Sequence, residues 1–392
     1  MIEKAFQGGK RYWTLVGFWA LVILGGAAAY GLQLTQGLTV TGMSRDVSWG
    51  LYISQFTFLV GVAASAVMVV MPYYLHNYKK FGKMVILGEF LAVSAVIMCV
   101  LFVVVDLGQP RRAMNVILHA SLNSVMFWDV TVLSGYLLLN LVIGLVTFDA
   151  ERKGGPPPKW VKPLIYLSIP WAVSIHTVTA FLYSGLAARP FWMTAILAPR
   201  FLASAFSSGP SMLILLALIL RKYTKFDCGK EAIQKLGTIV TYAMLINLFF
   251  VLVEVFTALY SAMPHHLHPF EYLFLGLDGK GGLVPWMRAS GALTVCAVSL
   301  LIFPRVRRNE SLLAVICVAV ITAIWIEKGM GLVVTGFIPS PLGKITEYMP
   351  TGPEAMIAGG VYGIGFLVLT LLYKIVVNVR EKTEQAPLQS EH

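Results

Sequence analysis

Charge is scarce in this chain. Of 392 residues, 12% are Asp, Glu, Lys or Arg and 57% are hydrophobic. With a mean hydropathy of +0.76, that balance excludes a soluble globular domain, whose core cannot hide so much apolar surface. Cysteine is scarce as well. Cys99, Cys296 and Cys317 are dispersed through apolar stretches, Cys228 sits in a basic connection, and no CxxC or CxxCH occurs. This excludes a cysteine-held iron-sulfur cluster or a c-type haem in this chain. The sequence lacks a Walker loop and a GxGxxG turn, so neither ATP nor a dinucleotide is expected as its fuel. A b-type haem needs two facing histidines at similar depth, and the candidate pair, His119 and His176, stands at mismatched depths. His265, His266 and His268 cluster in a wet loop with no ligand-spaced acid on a helix, so no metal is expected there.

Long apolar runs are abundant. Stretches of about 20 residues, enough to cross roughly 30 Å of hydrocarbon, fall near 12–34, 50–75, 84–106, 121–148, 162–187, 196–220, 236–262, 284–304, 311–336 and 354–378. The expected fold is all-α, a polytopic membrane protein of ten helices. The first run is too long for a signal-peptide core and is read as retained. Ten crossings put both ends on one side. The terminal segments and the connections on that side carry 21 of the 30 Lys and Arg, so the positive-inside rule predicts a multi-pass protein of the cytoplasmic membrane with both termini cytoplasmic. The net charge of +11 then reflects topology and anionic lipid, and nucleic-acid binding has no support. The Pro/Gly-rich stretch 151–160 reads as a cytoplasmic linker. It divides a four-helix part, 1–150, from a six-helix part, 161–380, followed by a disordered tail, 381–392. A weak echo crosses that linker: Gly61 precedes Asp106, and Gly209 precedes Glu254, by the same interval. Helices 2 and 3 thus resemble 6 and 7, as in a parallel repeat.

Ionisable groups inside these runs carry the most information, since each costs a few kcal/mol near the bilayer centre unless paired or hydrated. At 1.5 Å per residue, Asp129, Glu254 and Glu327 lie roughly 12–13 Å inside the outer ends of their helices. His176 falls near a midplane, Asp106, Arg200 and Arg288 stand at the outer boundary, and Lys328 adjoins Glu327. Glu89 alone lies in the inner half. Structural readings stand beside functional ones. Glu327 and Lys328 point about 100° apart and are expected to pair with other helices, with Arg200 or Arg288 as partners. Glu254 reads equally as a strut, His176 as an interhelical hydrogen-bonder, and Asp106 as a cap on the following turn or a partner of Arg111.

If helices 3, 4 and 5 pack as neighbours, Asp106, Asp129 and His176 come within reach of one ligand. Such groups exchange protons while holding carbonyl oxygens, as quinone chemistry demands. Trp49, Tyr52, Gln55 and Trp128 would add a flat apolar slot with polar handles, although Trp and Tyr also belong to ordinary interfacial belts.

The segments DLGQPRR, HASLNSVMFWDVTVLSGYL, SIHTVTAFLYSGLAARPFW and FTALYSAMPHHLHPFEYLFLG resemble the NrfD/PsrC family of polytopic quinone-reactive subunits over helices 2 to 8 and, by helix count, the whole chain. Within it they look most like the DsrP type of the DsrMKJOP complex of sulfur metabolism, with HmcC and QrcD types also similar. The resemblance implies menaquinone or another quinone bound near the outer face and no redox centre in the chain. It also implies an extracytoplasmic ferredoxin-like iron-sulfur subunit as electron partner, with a multihaem cytochrome c and further membrane and cytoplasmic subunits in the same complex. The family's site acids fall on Asp106 and Asp129 and its helix-5 histidine on His176. Gln109 departs from the Arg often found in the DLGRP form of the turn.

The expectation is therefore proton handling by Asp106, Asp129 and His176, quinone contacts from Trp49, Tyr52, Gln55, Trp128 and His119, and a proton path through Glu89, Glu254, Glu327, Lys328, Arg200 and Arg288. An ion-coupled transporter and a purely structural anchor are the alternatives. Transporters break helices at the midplane, whereas Pro170, Pro210 and Pro285 are expected near helix ends.

Overall fold

The computed structural model describes residues 8–153 and 155–385. Ten helices are long and apolar enough to span a bilayer: α1 Lys10–Val40, α2 Leu51–Tyr74, α3 Lys79–Asp106, α4 Val125–Ala150, α5 Val161–Ser184, α6 Leu197–Tyr223, α7 Lys230–Ser261, α8 Val284–Leu301, α9 Glu310–Thr335 and α10 Gly352–Val379. No strand forms among the described residues beyond an isolated bridge between Leu277 and Lys280. This is the all-α polytopic fold expected from the apolar runs. α1 begins and α10 ends on one face, the terminal face; the opposite face is distal.

Local chemistry explains several boundaries. α4 starts at Val125 because the Phe127 N–H donates to Ser124 Oγ at 3.3 Å, which consumes an otherwise orphan donor. Asn309 caps α9 in the same way, accepting from Leu312 N at 3.2 Å. α10 opens on a reciprocal capping box: Glu354 N donates to Thr351 Oγ1, and Thr351 N donates to Glu354 Oε2, both at 3.4 Å. The last helix runs on to Gln385, so 381–385, expected in a disordered tail, is helical; 386–392 lie outside the described residues. Pro170 and Pro210 lie inside α5 and α6, which corrects the expectation that they mark helix ends. Proline position therefore does not separate this fold from a transporter.

α2 is the axis of the molecule, with every residue from Tyr52 to Val70 buried. It packs on α3, α6 and the middle of α9. Without a hydrophobic force between helices in lipid, such contacts depend on close packing of small residues. A Cβ on Gly61 would lie 3.4 Å from the Ala205 Cα, and one on Gly209 would lie 2.8 Å from the Ser65 Cβ. The two glycines aligned by the sequence echo thus meet at one α2–α6 crossing. α10 returns across the chain to pack on α1 and α3. A Cβ on Gly26 of α1 would come within 2.5 Å of the Gly360 Cα, so this crossing tolerates only glycine there. A helix from beyond the 151–160 linker thus packs on two helices that precede it.

Candidate functional site

On the distal side the outer ends of α1, α2 and α3 are tied by one polar chain. Tyr52 Oη donates to Gln33 Oε1 at 2.7 Å, and Gln33 Nε2 donates to the Val105 carbonyl at 2.6 Å. That carbonyl immediately precedes Asp106, so the backbone carrying the acid is fixed. The acid itself is not consumed. Asp106 Oδ1 is shielded from solvent and accepts no hydrogen bond, and the Leu107 N–H that a cap would use goes to Val104 O at 3.3 Å. The structure gives no support to Asp106 as a cap. Asp106 lies in electrostatic reach of Glu354, and Tyr52 in reach of both carboxylates.

Asp129 projects from α4 and is buried. Thr179 of α5 donates to its Oδ1 at 2.7 Å. His176 shares that face of α5, three residues earlier; it is fully buried, and neither ring nitrogen has a hydrogen-bond partner. It lies in reach of the Lys328 charge. Tyr183, one turn beyond Thr179, shares a short hydrogen bond with Thr57 of α2 and is in electrostatic reach of both Asp129 and Asp106. The three predicted groups therefore surround the α2–α5 contact without bonding one another. An aromatic wall closes the distal side: Trp49 stacks on Trp192 at 5.6 Å and meets Tyr183 edge-on at 5.4 Å. Deeper on α2, Gln55 Oε1 accepts from Trp325 Nε1 and Tyr362 Oη, both at 2.7 Å, while its Nε2 has no acceptor.

A second cluster sits between α6, α7 and α9. The Arg200 guanidinium forks to Glu254 and Glu327, with side-chain exposures of 12%, 10% and 11%. Glu327 and Lys328 stand in a π-helical turn, Trp325–Gly331, a feature frequent at functional sites. They point apart as expected. Lys328 is directed toward α6, where its ammonium lies 4.3 Å above the Phe201 ring and donates to the Phe201 carbonyl at 3.5 Å. Glu89 stands apart from both clusters, 17 residues and so about 25 Å along α3 from Asp106. It is buried with both oxygens unpartnered, beside Gly144 of α4.

Three predicted residues lie elsewhere. His119 is exposed in the α3–α4 connection. Trp128 is 42% exposed, and its indole N–H donates to Leu122 O at 2.8 Å, serving that loop. Arg288 is exposed and donates to the Phe274 carbonyl at 2.9 and 3.1 Å, terminating the short helix Pro264–Phe274. Each was placed by residue type and by position at the outer boundary, and neither fixes which way a side chain faces. Glu354 was missed. It is completely buried and also accepts from Gly42 N, from Leu51 N and, in a short bond, from Tyr348 Oη. The Thr-x-x-Glu spacing of 351–354 was the available signal. Thr179, Tyr183 and Trp192 were missed too, although all lie in segments that carry the family resemblance. Above this cluster, Asp46 joins the α1–α2 and α9–α10 loops; hydrogen bonds from Lys344 and Thr346 hold its carboxyl below the ordinary 3.8.

The chain is similar to several known membrane subunits. The C subunit of selenate reductase from Mesobacillus selenatarsenatis is 24% identical, the match covering 94% of each chain. The Hdr-like menaquinol oxidoreductase integral membrane subunit of Archaeoglobus fulgidus is 25% identical over 69% of this chain and 67% of its own. The menaquinone reductase integral membrane subunit of Nitratidesulfovibrio vulgaris is 23% identical over 88% and 87%. The family described as polysulphide reductase, NrfD, matches residues 39–338, from the end of α1 to just beyond α9, a span that includes Asp106, Asp129, His176 and the Arg200 cluster. The chain belongs to the NrfD family of polytopic membrane proteins.

Proposed function

We propose that this chain is the quinone-reactive membrane subunit of a respiratory electron-transfer complex, exchanging electrons between menaquinone or menaquinol and an iron-sulfur partner on the distal face. The names of the Archaeoglobus and Nitratidesulfovibrio relatives support the quinone class. The residues fit such a group. A quinone is a flat apolar ring with two carbonyl oxygens, and pockets for such ligands combine apolar walls with a few convergent polar atoms. The distal half holds shielded polar atoms without partners on Asp106, His176 and Gln55, together with the aromatic cluster of Trp49, Tyr183 and Trp192. The observation that carries the reading is Asp106 Oδ1, a shielded oxygen with no donor on a backbone fixed through Gln33. Leaving such a group unpartnered is costly, and proton transfer to a ligand accounts for its retention.

A bound quinone supplies two-electron, two-proton redox chemistry. Asp106 takes up or releases a proton at its unpartnered oxygen. Asp129 does so deeper in the fold, steadied by Thr179, and His176 donates from one ring nitrogen while accepting at the other. Gln55 offers its Nε2 donor, its oxygen being already saturated, and Trp49 and Tyr52 would line the ring site. Glu89 belongs to a proton path toward the terminal face, and Arg200, Glu254, Glu327 and Lys328 to a second path. In the finer reading the complex is of the DsrMKJOP type in the cytoplasmic membrane, with both chain ends cytoplasmic. Its partners are then a ferredoxin-like iron-sulfur subunit and a multihaem cytochrome c outside, with further membrane and cytoplasmic subunits.

Photolabelling of the assembled complex with an azido-menaquinone tests this placement. Label is expected in the peptides containing Trp49 to Gln55 and Asp106. Label confined to α7 and α8, or none that excess menaquinone displaces, overturns it.

A further inference from the structure

A cavity lies far from the distal site, on the terminal face. It measures about 630 Å³ and is walled by the end of α2 (Tyr73, Tyr74), the start of α3 (Lys79, Lys80, Lys83), the α6–α7 loop with the start of α7 (Asp227 to Ala232), and Thr147 of α4. Its acids are already matched: Glu231 pairs with Lys80, and Asp227 lies 3.7 Å from Arg221. Lys79 and Lys230 then remain without a carboxylate partner among the described residues, and Lys79 rests over the Tyr73 ring at 4.8 Å. Thr147 adds a solvent-shielded hydroxyl without a hydrogen-bond partner. The cavity thus has surplus positive charge at its mouth, an unused hydroxyl in its wall, and an aromatic side.

We propose that this cavity binds a phosphate ester, with Lys79 and Lys230 neutralising its charge and the Thr147 hydroxyl donating to one of its oxygens. Basic pockets between membrane helices on the cytoplasmic side hold anionic lipid headgroups, and the basic bias of the terminal face makes that side cytoplasmic. The site is bounded by Tyr73 and Tyr74 and neighbours the exposed Leu75, a setting at the membrane interface that favours a lipid phosphate over a soluble one. The proposal is independent of the quinone reading.

The test is binding to the purified full-length protein in detergent, by native mass spectrometry and thermal unfolding, with phosphatidylglycerol, phosphatidylcholine and inorganic phosphate as separate probes. Saturable binding of phosphatidylglycerol, weakened roughly 30-fold in Lys79→Gln/Lys230→Gln and little changed in the charge-matched control Lys159→Gln/Lys162→Gln, supports a lipid source. Saturable binding of inorganic phosphate with the same variant pattern and no lipid preference supports a soluble source. Thr147→Val leaves all charges in place and should weaken either ligand several-fold, which keeps the test decisive if the lysine variant does not fold. Equal affinity of wild type, both lysine variants and Thr147→Val, or no saturable binding of any probe, overturns the proposal.

Discussion

Arg200 is the only cation in ion-pair contact with Glu254 and Glu327 among the described residues. Replacing it with Met leaves both carboxylates without their cation, Glu327 in a cleft with Phe191, Val251, Val255 and Leu332, where the Asn247 amide, 3.5 Å from Glu327, is the remaining hydrogen-bond donor among the described residues. Breaking a buried pair in this one-sided way costs about 3–5 kcal/mol, because an uncompensated charge stays behind. Arg200→Lys keeps the charge but cannot fork to two acids, so its cost should be about half as large. Glu254→Gln removes one acid and leaves Arg200 paired with Glu327, which points to about 1–2 kcal/mol. The assay is thermal unfolding of the detergent-solubilised protein. The predicted order of melting temperatures is wild type, Glu254→Gln, Arg200→Lys, Arg200→Met, the last lower by roughly 4–6 °C. A melting temperature for Arg200→Met within about 1 °C of wild type would refute the reasoning and show that the cluster is hydrated.

Two further perturbations follow from the packing. Glu354→Ala removes the acceptor shared by Gly42, Leu51, Thr351 and Tyr348; it should cost about 3 kcal/mol and speed hydrogen exchange at Leu51 and Thr351, whereas unchanged exchange would deny Glu354 its clamping role. Gly336→Ala places a Cβ 2.0 Å from the Trp192 ring, so it should displace Trp192 from Trp49, cost about 1–3 kcal/mol and shift the tryptophan emission; an unaltered spectrum with unaltered stability would contradict the described aromatic wall.

Most of the fold was legible because a helix that must cross lipid writes its length directly into the chain. Ten apolar runs became ten helices, and the boundary errors have local causes such as Ser124 capping α4. Partnerships were harder. The Arg200–Glu327 pair was anticipated because two opposite charges at similar depth have few other solutions in hydrocarbon. The return of α10 to α1 was not, since it depends on Gly26 and Gly360 meeting face to face, and neither glycine marks itself among 35. At the candidate site, Asp106, Asp129 and His176 were singled out by the rarity of ionisable groups in apolar runs. Glu354 escaped that filter because it stands in the first turn of its helix, where an acid is ordinary, and only its acceptance of N–H groups from the α1–α2 side reveals its burial. His119, Trp128 and Arg288 show the converse: residue type suited the site, but His119 is exposed and the other two donate to loop or helix-end carbonyls.

The central claim is that Asp106 exchanges the proton of a bound quinone, and Asp106→Asn tests it most directly. Asn matches Asp in size and keeps an oxygen acceptor, but its amide does not titrate near neutral pH. The measurement is menaquinol-dependent reduction of the distal redox partner by complexes checked for intact assembly. The account predicts a loss of roughly 100-fold or more, with Asp129→Asn and His176→Gln similar in size and the combined variants falling short of the product of the single losses. Turnover of Asp106→Asn within a few-fold of wild type would contradict it.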